Sequence, residues 1–202
     1  MNLIIFGPPG AGKGTQAKFL VKKLNSLQVS TGDMLREEIN KDTEIGKKII
    51  NYMNDGKFVD DEIVNKLLEK IIFDPKNANK LIFDGYPRTI NQAKNLENLL
   101  IKSNQKIDYV FFLNVDKQAI VKRIEKRKIL EKRSDDDSST ILKRFNTYME
   151  TTRPVLEFYS KNPNFYEISP VIEFFCTLII SHETQHAKSH YNAYQPKNKN
   201  LD

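Results

Sequence analysis

Residues 2–17 read Asn2-Leu3-Ile4-Ile5-Phe6-Gly7-Pro8-Pro9-Gly10-Ala11-Gly12-Lys13-Gly14-Thr15-Gln16-Ala17, and this stretch decides the fold. Asn2 to Phe6 is a short apolar run closed by Gly7, the pattern of a buried strand. From Lys13 to Leu24 the apolar residues Ala17, Leu20, Val21 and Leu24 fall at helical spacing. The glycines between them let successive backbone N–H groups turn inward, and the start of the helix adds partial positive charge. A loop of that kind, in that place, is built for phosphate, with Lys13 as a point charge for the outer groups. Gly7, Gly12 and Lys13 alone would recur by chance in about 6% of chains this long, but Gly10, Gly14 and Thr15 lower that to around 10⁻⁵.

Outward from the loop, strand-length apolar runs alternate with segments of helical period. Leu27–Ser30, Leu81–Phe83, Tyr109–Leu113 and Phe165–Ile168 read as further strands. Helices are expected near 32–40, 44–54, 61–73, 90–102, 117–128 and 138–160, with Pro154 bending or dividing the last. Asp60 and Asp61 stand where a helix start favours carboxylates. Strands without alternation, separated by helices, predict an α/β domain with a central parallel sheet covered on both faces. Residues 30–59 supply helices with no strand between them and read as an inserted module. Residues 126–136 read as a short, highly charged excursion, and the tail after Ser181 is polar.

Composition narrows the setting. The chain has 202 residues and a single Cys, which excludes an intrachain disulfide framework and a four-Cys zinc site and suits a reducing compartment. The N-terminus lacks the pattern of a signal peptide. The longest apolar stretch, Val171–Ile180 with Glu173 inside it, is about half of what a membrane span needs. A cytoplasmic protein is expected, without membrane attachment. The net charge of +6 lies entirely between Lys102 and Arg133, where ten basic residues face four acidic ones. A basic patch suits nucleic acid, an anionic membrane or a small polyanion. Nucleic acid is not expected, because the aromatic residues lie in the strands rather than among the basic ones.

The residue after Lys13 is Gly14, with Thr15 next, where the general phosphate-loop pattern has Ser or Thr directly after the Lys. The run Gly10-Ala11-Gly12-Lys13-Gly14-Thr15-Gln16-Ala17 resembles the nucleoside monophosphate kinases, and among them the adenylate kinase family. Three further stretches carry the same resemblance: Ser30-Thr31-Gly32-Asp33-Met34-Leu35-Arg36 with Gly56-Lys57-Phe58-Val59, then Asp84-Gly85-Tyr86-Pro87-Arg88-Thr89 with Gln92, then Arg123, Arg127, Arg133 and Arg144. It covers about residues 1–171 and implies a P-loop nucleotide-kinase fold. The core would be 1–29, 60–125 and 137–171, the AMP-binding insertion 30–59 and a short lid 126–136, followed by a divergent C-terminal segment 172–202.

The implied reaction is ATP–Mg²⁺ + AMP ⇌ 2 ADP, serving adenine nucleotide homeostasis. By resemblance, ATP would be held by Gly10, Ala11, Gly12, Lys13, Gly14 and Thr15, by Arg123 and Arg127, and by backbone at Ser169. AMP would be held by Thr31, Arg36, Lys57, Phe58, Val59, Gly85, Tyr86, Pro87, Arg88, Gln92, Arg133 and Arg144. Lys13, Arg88, Arg123, Arg133 and Arg144 would stabilise the transferring phosphoryl group, where rate comes from alignment and neutralised charge. Asp84, ending a buried strand, would orient Mg²⁺ through water. Gln92 has an amide whose donor and acceptor can pair with an adenine edge.

Relatives with a long lid carry a Cys-rich zinc site there. Residues 126–136 contain no cysteine, so no structural zinc is expected. His182, His186 and His190 have a spacing that could serve Zn²⁺, but lie in a polar terminal segment with no carboxylate well placed to complete a site. Cys176 reads as an inert core thiol, and a monomer is expected. Two other readings stand beside this one: a UMP/CMP kinase of the same fold, and a non-catalytic module that senses nucleotides, motivated by the altered C-terminus.

Overall fold

The computed structural model describes residues 1–55, 57–116, 119, 120, 123, 124 and 138–168, all within one compact unit, Met1–Ser169. Its centre is β1 (Leu3–Phe6), in which every side chain is apolar and buried. Parallel strands flank it on both sides, in the order β2-β3-β1-β4-β5. These are β2 (Leu27–Ser30), β3 (Leu81–Asp84), β4 (Tyr109–Leu113) and β5 (Phe165–Ile168). β3 is as fully buried as β1. β2 lies at an edge and leaves Leu27 40% exposed, which its position allows. Because all five strands run the same way, their C-terminal ends share one rim of the sheet, where ligands of open α/β sheets bind.

The opposite rim is tied by a residue that reads as strand but precedes it. Asn2 is fully buried, and its side-chain carbonyl accepts from Leu81 N–H of β3 at 3.1 Å. Its amide donates to Gln105 Oε1 at 3.2 Å and to the Lys106 carbonyl at 3.0 Å. Its backbone carbonyl accepts from Asp108 N–H at 2.9 Å. A buried amide satisfied on both sides is stable; removing it would orphan Leu81 N–H.

α1 (Lys13–Leu24) joins β1 to β2, burying Ala17 and Leu20. Between β2 and β3 come α2 (Thr31–Asn40), α3 (Glu44–Asn54) and α4 (Asp61–Ile72). Each has a side-chain cap: Ser30 accepts from Asp33 N–H, Thr43 from Gly46 N–H and Asp60 from Glu62 N–H. α2 and α3 pack closely at Gly46, where a Cβ would collide with the Glu38 carbonyl. α5 (Ile90–Lys102) is capped by Thr89 and buries Gln92, Ala93, Leu96, Leu99 and Leu100.

The helix expected over 138–160 is divided, as Pro154 suggests, but the interruption lies just ahead of the proline. α6 (Ser138–Thr147) passes through a π turn, Tyr148–Thr152, into α7 (Arg153–Tyr159). Pro154 sits in the first turn of α7, where its missing N–H costs nothing, and the wider turn makes room for its ring. Val155 and Tyr159 of α7 complete a core with Ile4, Phe6, Phe83 and Leu96. On the strands, the rings of Tyr109, Phe111 and Tyr166 stack at 5.8–6.4 Å.

Of the helix expected at 117–128, residues 119, 120, 123 and 124 are described and are helical. The excursion 126–136, the apolar run Val171–Ile180, Cys176 and the three histidines lie outside the described residues. No helix among the described residues is long and apolar enough to cross a membrane.

Candidate active site

Two clusters form at the C-terminal rim. The first surrounds the loop after β1. Ala11 N–H donates to the Pro8 carbonyl at 3.1 Å, folding the loop into a tight turn. Gly10 has a φ of 80°, and a Cβ there would stand 2.7 Å from Ile124 Cγ1, so both conformation and space demand glycine. α1 has no acidic residue in its first turn, so its positive end is not neutralised from within. Lys13 Nζ donates to the carbonyls of Gly7 at 2.7 Å and Pro8 at 3.0 Å, which holds the ammonium over the loop. Arg123 reaches the same loop, its Nη1 donating to the Ala11 carbonyl at 3.0 Å.

Asp84 ends β3 in register with Ile5 of β1 and Ser30 of β2. Its carboxylate is nearly buried, and Oδ2 accepts from Gln28 Nε2 at 2.9 Å. The first turn of α1 approaches closely: a Cβ on Gly14 would lie 3.3 Å from that oxygen. Asp84 therefore presents a hard oxygen donor beside the phosphate loop. Mg²⁺ needs one or two carboxylates, its waters and substrate phosphates rather than a full protein cage, so this donor set fits it. Among the described residues no group of three or more His, Cys, Asp or Glu could hold a metal ion.

The second cluster converges on one carbonyl. Gly85 O accepts from Thr31 Oγ1 at 3.1 Å and from Arg88 Nε at 2.6 Å, using both lone pairs. The Arg88 guanidinium also lies over the Phe58 ring, 5.4 Å from its centroid, so it is oriented from two directions. Tyr86 and Pro87 join through a cis peptide bond. The Tyr86 hydroxyl sits 3.2 Å from both Asn65 Oδ1 and the Gln92 carbonyl, and burial pushes it up to about 12, which keeps it a neutral donor. Gln92 is 3% exposed; its Oε1 accepts from Arg88 N–H at 2.7 Å and its Nε2 donates to Asp61 at 2.5 Å. Val59 is buried and Lys57 pairs with Asp55 at the surface. Arg36 stands one turn along α2 from Asp33, whose carboxylate it meets at 2.6 Å.

The fold thus gathers Thr31, Phe58, Gly85, Tyr86, Arg88 and Gln92 into one cluster, and Gly10 to Thr15, Asp84 and Arg123 into the other. Arg144 lies on α6, half-buried. Arg127, Arg133 and Ser169 lie outside the described residues. Three side chains of the clusters escaped sequence reasoning: Gln28, the partner of Asp84; Asp33, the partner of Arg36; and Asp61, read only as a helix-start carboxylate. Gln28 and Asp61 matter through neighbours that the fold supplies, and no motif announces them, whereas Asp33 lies in the same stretch as Arg36, one helical turn before it.

Comparison with known proteins agrees over nearly the whole described chain. The family model for adenylate kinase matches residues 5–164. An adenylate kinase of Pelagibacter ubique is 47% identical, the match covering 83% of this chain and 91% of that protein. One from Mycoplasma mycoides subsp. mycoides is 44% identical over the same shares, and one from Thermosipho africanus 34% identical over 86% of this chain and 94% of its own. With a parallel sheet, a phosphate loop after its central strand and a buried aspartate beside that loop, the chain belongs to the adenylate kinase family.

Proposed function

We propose that this chain, as a cytoplasmic monomer, transfers the γ-phosphoryl group of ATP–Mg²⁺ to AMP and returns two ADP. The observation that carries the reading is the pairing of two differently built clusters on one sheet rim. One centres on Lys13 in a glycine loop; the other centres on Arg88, docked on Gly85. The backbone of residues 10–15, Lys13 and Arg123 bind the ATP phosphates, with Arg127 and Ser169 completing that side. Asp84 holds Mg²⁺ through its waters, and the ion supplies charge neutralisation on the transferring phosphates. Arg36 and Arg88 hold the AMP phosphate, Thr31 and Gln92 the base, and residues 57–59 and 85–87 the walls.

A metaphosphate-like transition state needs no covalent catalyst. What accelerates it is alignment of donor and acceptor oxygens and cations beside the equatorial oxygens. Arg88 is suited to both, since its guanidinium is oriented through Nε on Gly85 O and its planar donor fork matches the oxygens of a phosphate. Arg133 and Arg144 contribute further charge at the transferring group. In the reverse direction the same cations hold two ADP molecules.

The decisive experiment is an acceptor screen with coupled detection of ADP. The purified protein is expected to form ADP only when ATP, AMP and Mg²⁺ are present together, and to use UMP, CMP and GMP poorly. Preference for UMP or CMP would replace AMP as the acceptor. Calorimetric binding of both nucleotides without turnover would make the chain a sensor.

A further inference from the structure

Gln92 has four hydrogen-bonding valencies, two N–H groups and two carbonyl lone pairs. Asp61 takes one of the N–H groups and Arg88 N–H takes one lone pair. One donor and one acceptor remain, on adjacent atoms of a planar amide that is 3% exposed. Their order is not free. An ionised carboxylate only accepts, so the Nε2 end must face Asp61; turning the amide over would set Oε1 against the carboxylate and Nε2 against Arg88 N–H.

We infer that Asp61 is a specificity-determining residue of the acceptor site: its carboxylate fixes the polarity of the Gln92 amide and so selects a 6-aminopurine over a 6-oxopurine. This rests on the reading that Gln92 meets the acceptor base. A 6-aminopurine offers an N6–H donor beside an N1 acceptor, which matches the remaining Oε1 lone pair and Nε2–H. A 6-oxopurine offers the reverse, an O6 acceptor beside an N1–H donor. Binding it would require the turned amide, with two acceptors face to face on one side and two donors on the other. A site that holds its polar groups in one order rejects the mismatched analogue far better than a flexible one. Asp61 is placed for this role by the chain: Asp60 caps α4, so Asp61 falls in the first turn, where the helix end favours a carboxylate. It serves as a positioning residue, acting on the base through Gln92.

The test compares steady-state kinetics of the full chain with AMP and with IMP as acceptors, for Asp61→Asn, Asp61→Ala and Gln92→Leu. Asp61→Ala is expected to raise the KM for AMP roughly five- to twentyfold, leaving kcat and the KM for ATP within about twofold. It should also lower the AMP-to-IMP ratio of kcat/KM by roughly tenfold. Asp61→Asn keeps the volume and can still accept from Nε2, so its KM for AMP should stay within about threefold of the parent. Its own amide can turn to donate, however, so the AMP-to-IMP ratio should still fall.

If both Asp61 variants keep the parent ratio while Gln92→Leu collapses it, Gln92 reads the base and Asp61 does not set its polarity. If Gln92→Leu also keeps the ratio, the reading of Gln92 fails and the inference falls with it. An equal rise in the KM for AMP and for ATP in Asp61→Ala would show a merely structural residue and overturn the inference. Asp61→Asn decides the matter if the alanine variant does not fold.

Discussion

On the loop side of the sheet rim, from Gly7 to Thr15, the groups that converge are mostly backbone: amides, carbonyls and a helix end, contributed by nine consecutive residues. On the acceptor side they are side chains from separate segments, Thr31 and Arg36 on α2, Phe58 ahead of α4, and Arg88 and Gln92 around the start of α5. Both sides are proposed to hold phosphate. A backbone site is fixed by local conformation and tolerates most changes of side chain away from its glycines and its lysine. A side-chain site depends on how well distant segments hold one another, so it can be tuned residue by residue and damaged in the same way.

The largest effect expected is that of Lys13→Met, which removes the one side-chain charge the loop cannot replace from its backbone. Its kcat should fall by about 10³-fold or more, with the melting temperature unchanged. A loss smaller than tenfold would show that the backbone alone carries the ATP side. Arg88→Ala should lower kcat/KM for AMP by about 10²–10³-fold. Arg88→Lys should recover little of it, because an ammonium cannot bind Gly85 O and a phosphate as a planar fork does. Full recovery by lysine would mean that charge, and not the fork, is what the acceptor side supplies.

Gly46→Ala sharpens the contrast between the halves. Its Cβ would push α3 away from the Glu38 carbonyl of α2, the helix that carries Arg36. Stability should fall by about 1–3 kcal/mol in chemical denaturation, and the KM for AMP should rise while that for ATP does not. Equal changes in both would show that the halves are not separable.

The smallest effect is that of Glu97→Gln, on α5 beyond the acceptor cluster. Burial raises the Glu97 carboxyl above its ordinary range, the Tyr159 hydroxyl of α7 opposing it in part. The folded state therefore favours the protonated form. That stabilisation is complete below the ordinary carboxylate pKa and is lost as pH rises through the raised value. A neutral amide should raise the melting temperature by about 1–3 °C at pH 8 and by nothing near pH 4, with both KM values unchanged.

The same contrast explains what could be read from the sequence. The loop was legible because its function is local: glycines, a lysine and the strand-to-helix context are all contiguous. β1 and β3 were legible because they are buried on both faces and show no alternation, and the division of the last helix followed from Pro154. Asp84, Arg88 and Gln92 stand out in one short motif. Gln28 and Asp61 do not, because their partners lie 56 and 31 residues away, and their chemistry arises only when the sheet and α4 bring them together. The polar start of β1 was read as strand, since nothing in the order of residues shows that the side chain of Asn2 is turned to Leu81, Gln105 and Lys106.

That amide has a consequence at the far end of the strands. A device that passes a group between two bound molecules must keep a fixed gauge between its jaws. Here one jaw follows β1, and the other draws on the ends of β2 and β3. Asn2 pins β3 directly beside β1 and fastens the approach to β4 as well. These strands are short, β1 meeting β3 over three register pairs and β4 over four, so a tie at the root is a sizeable part of what joins them. The ladders that space the jaws are thus anchored at the foot of the sheet by a residue that touches neither of them.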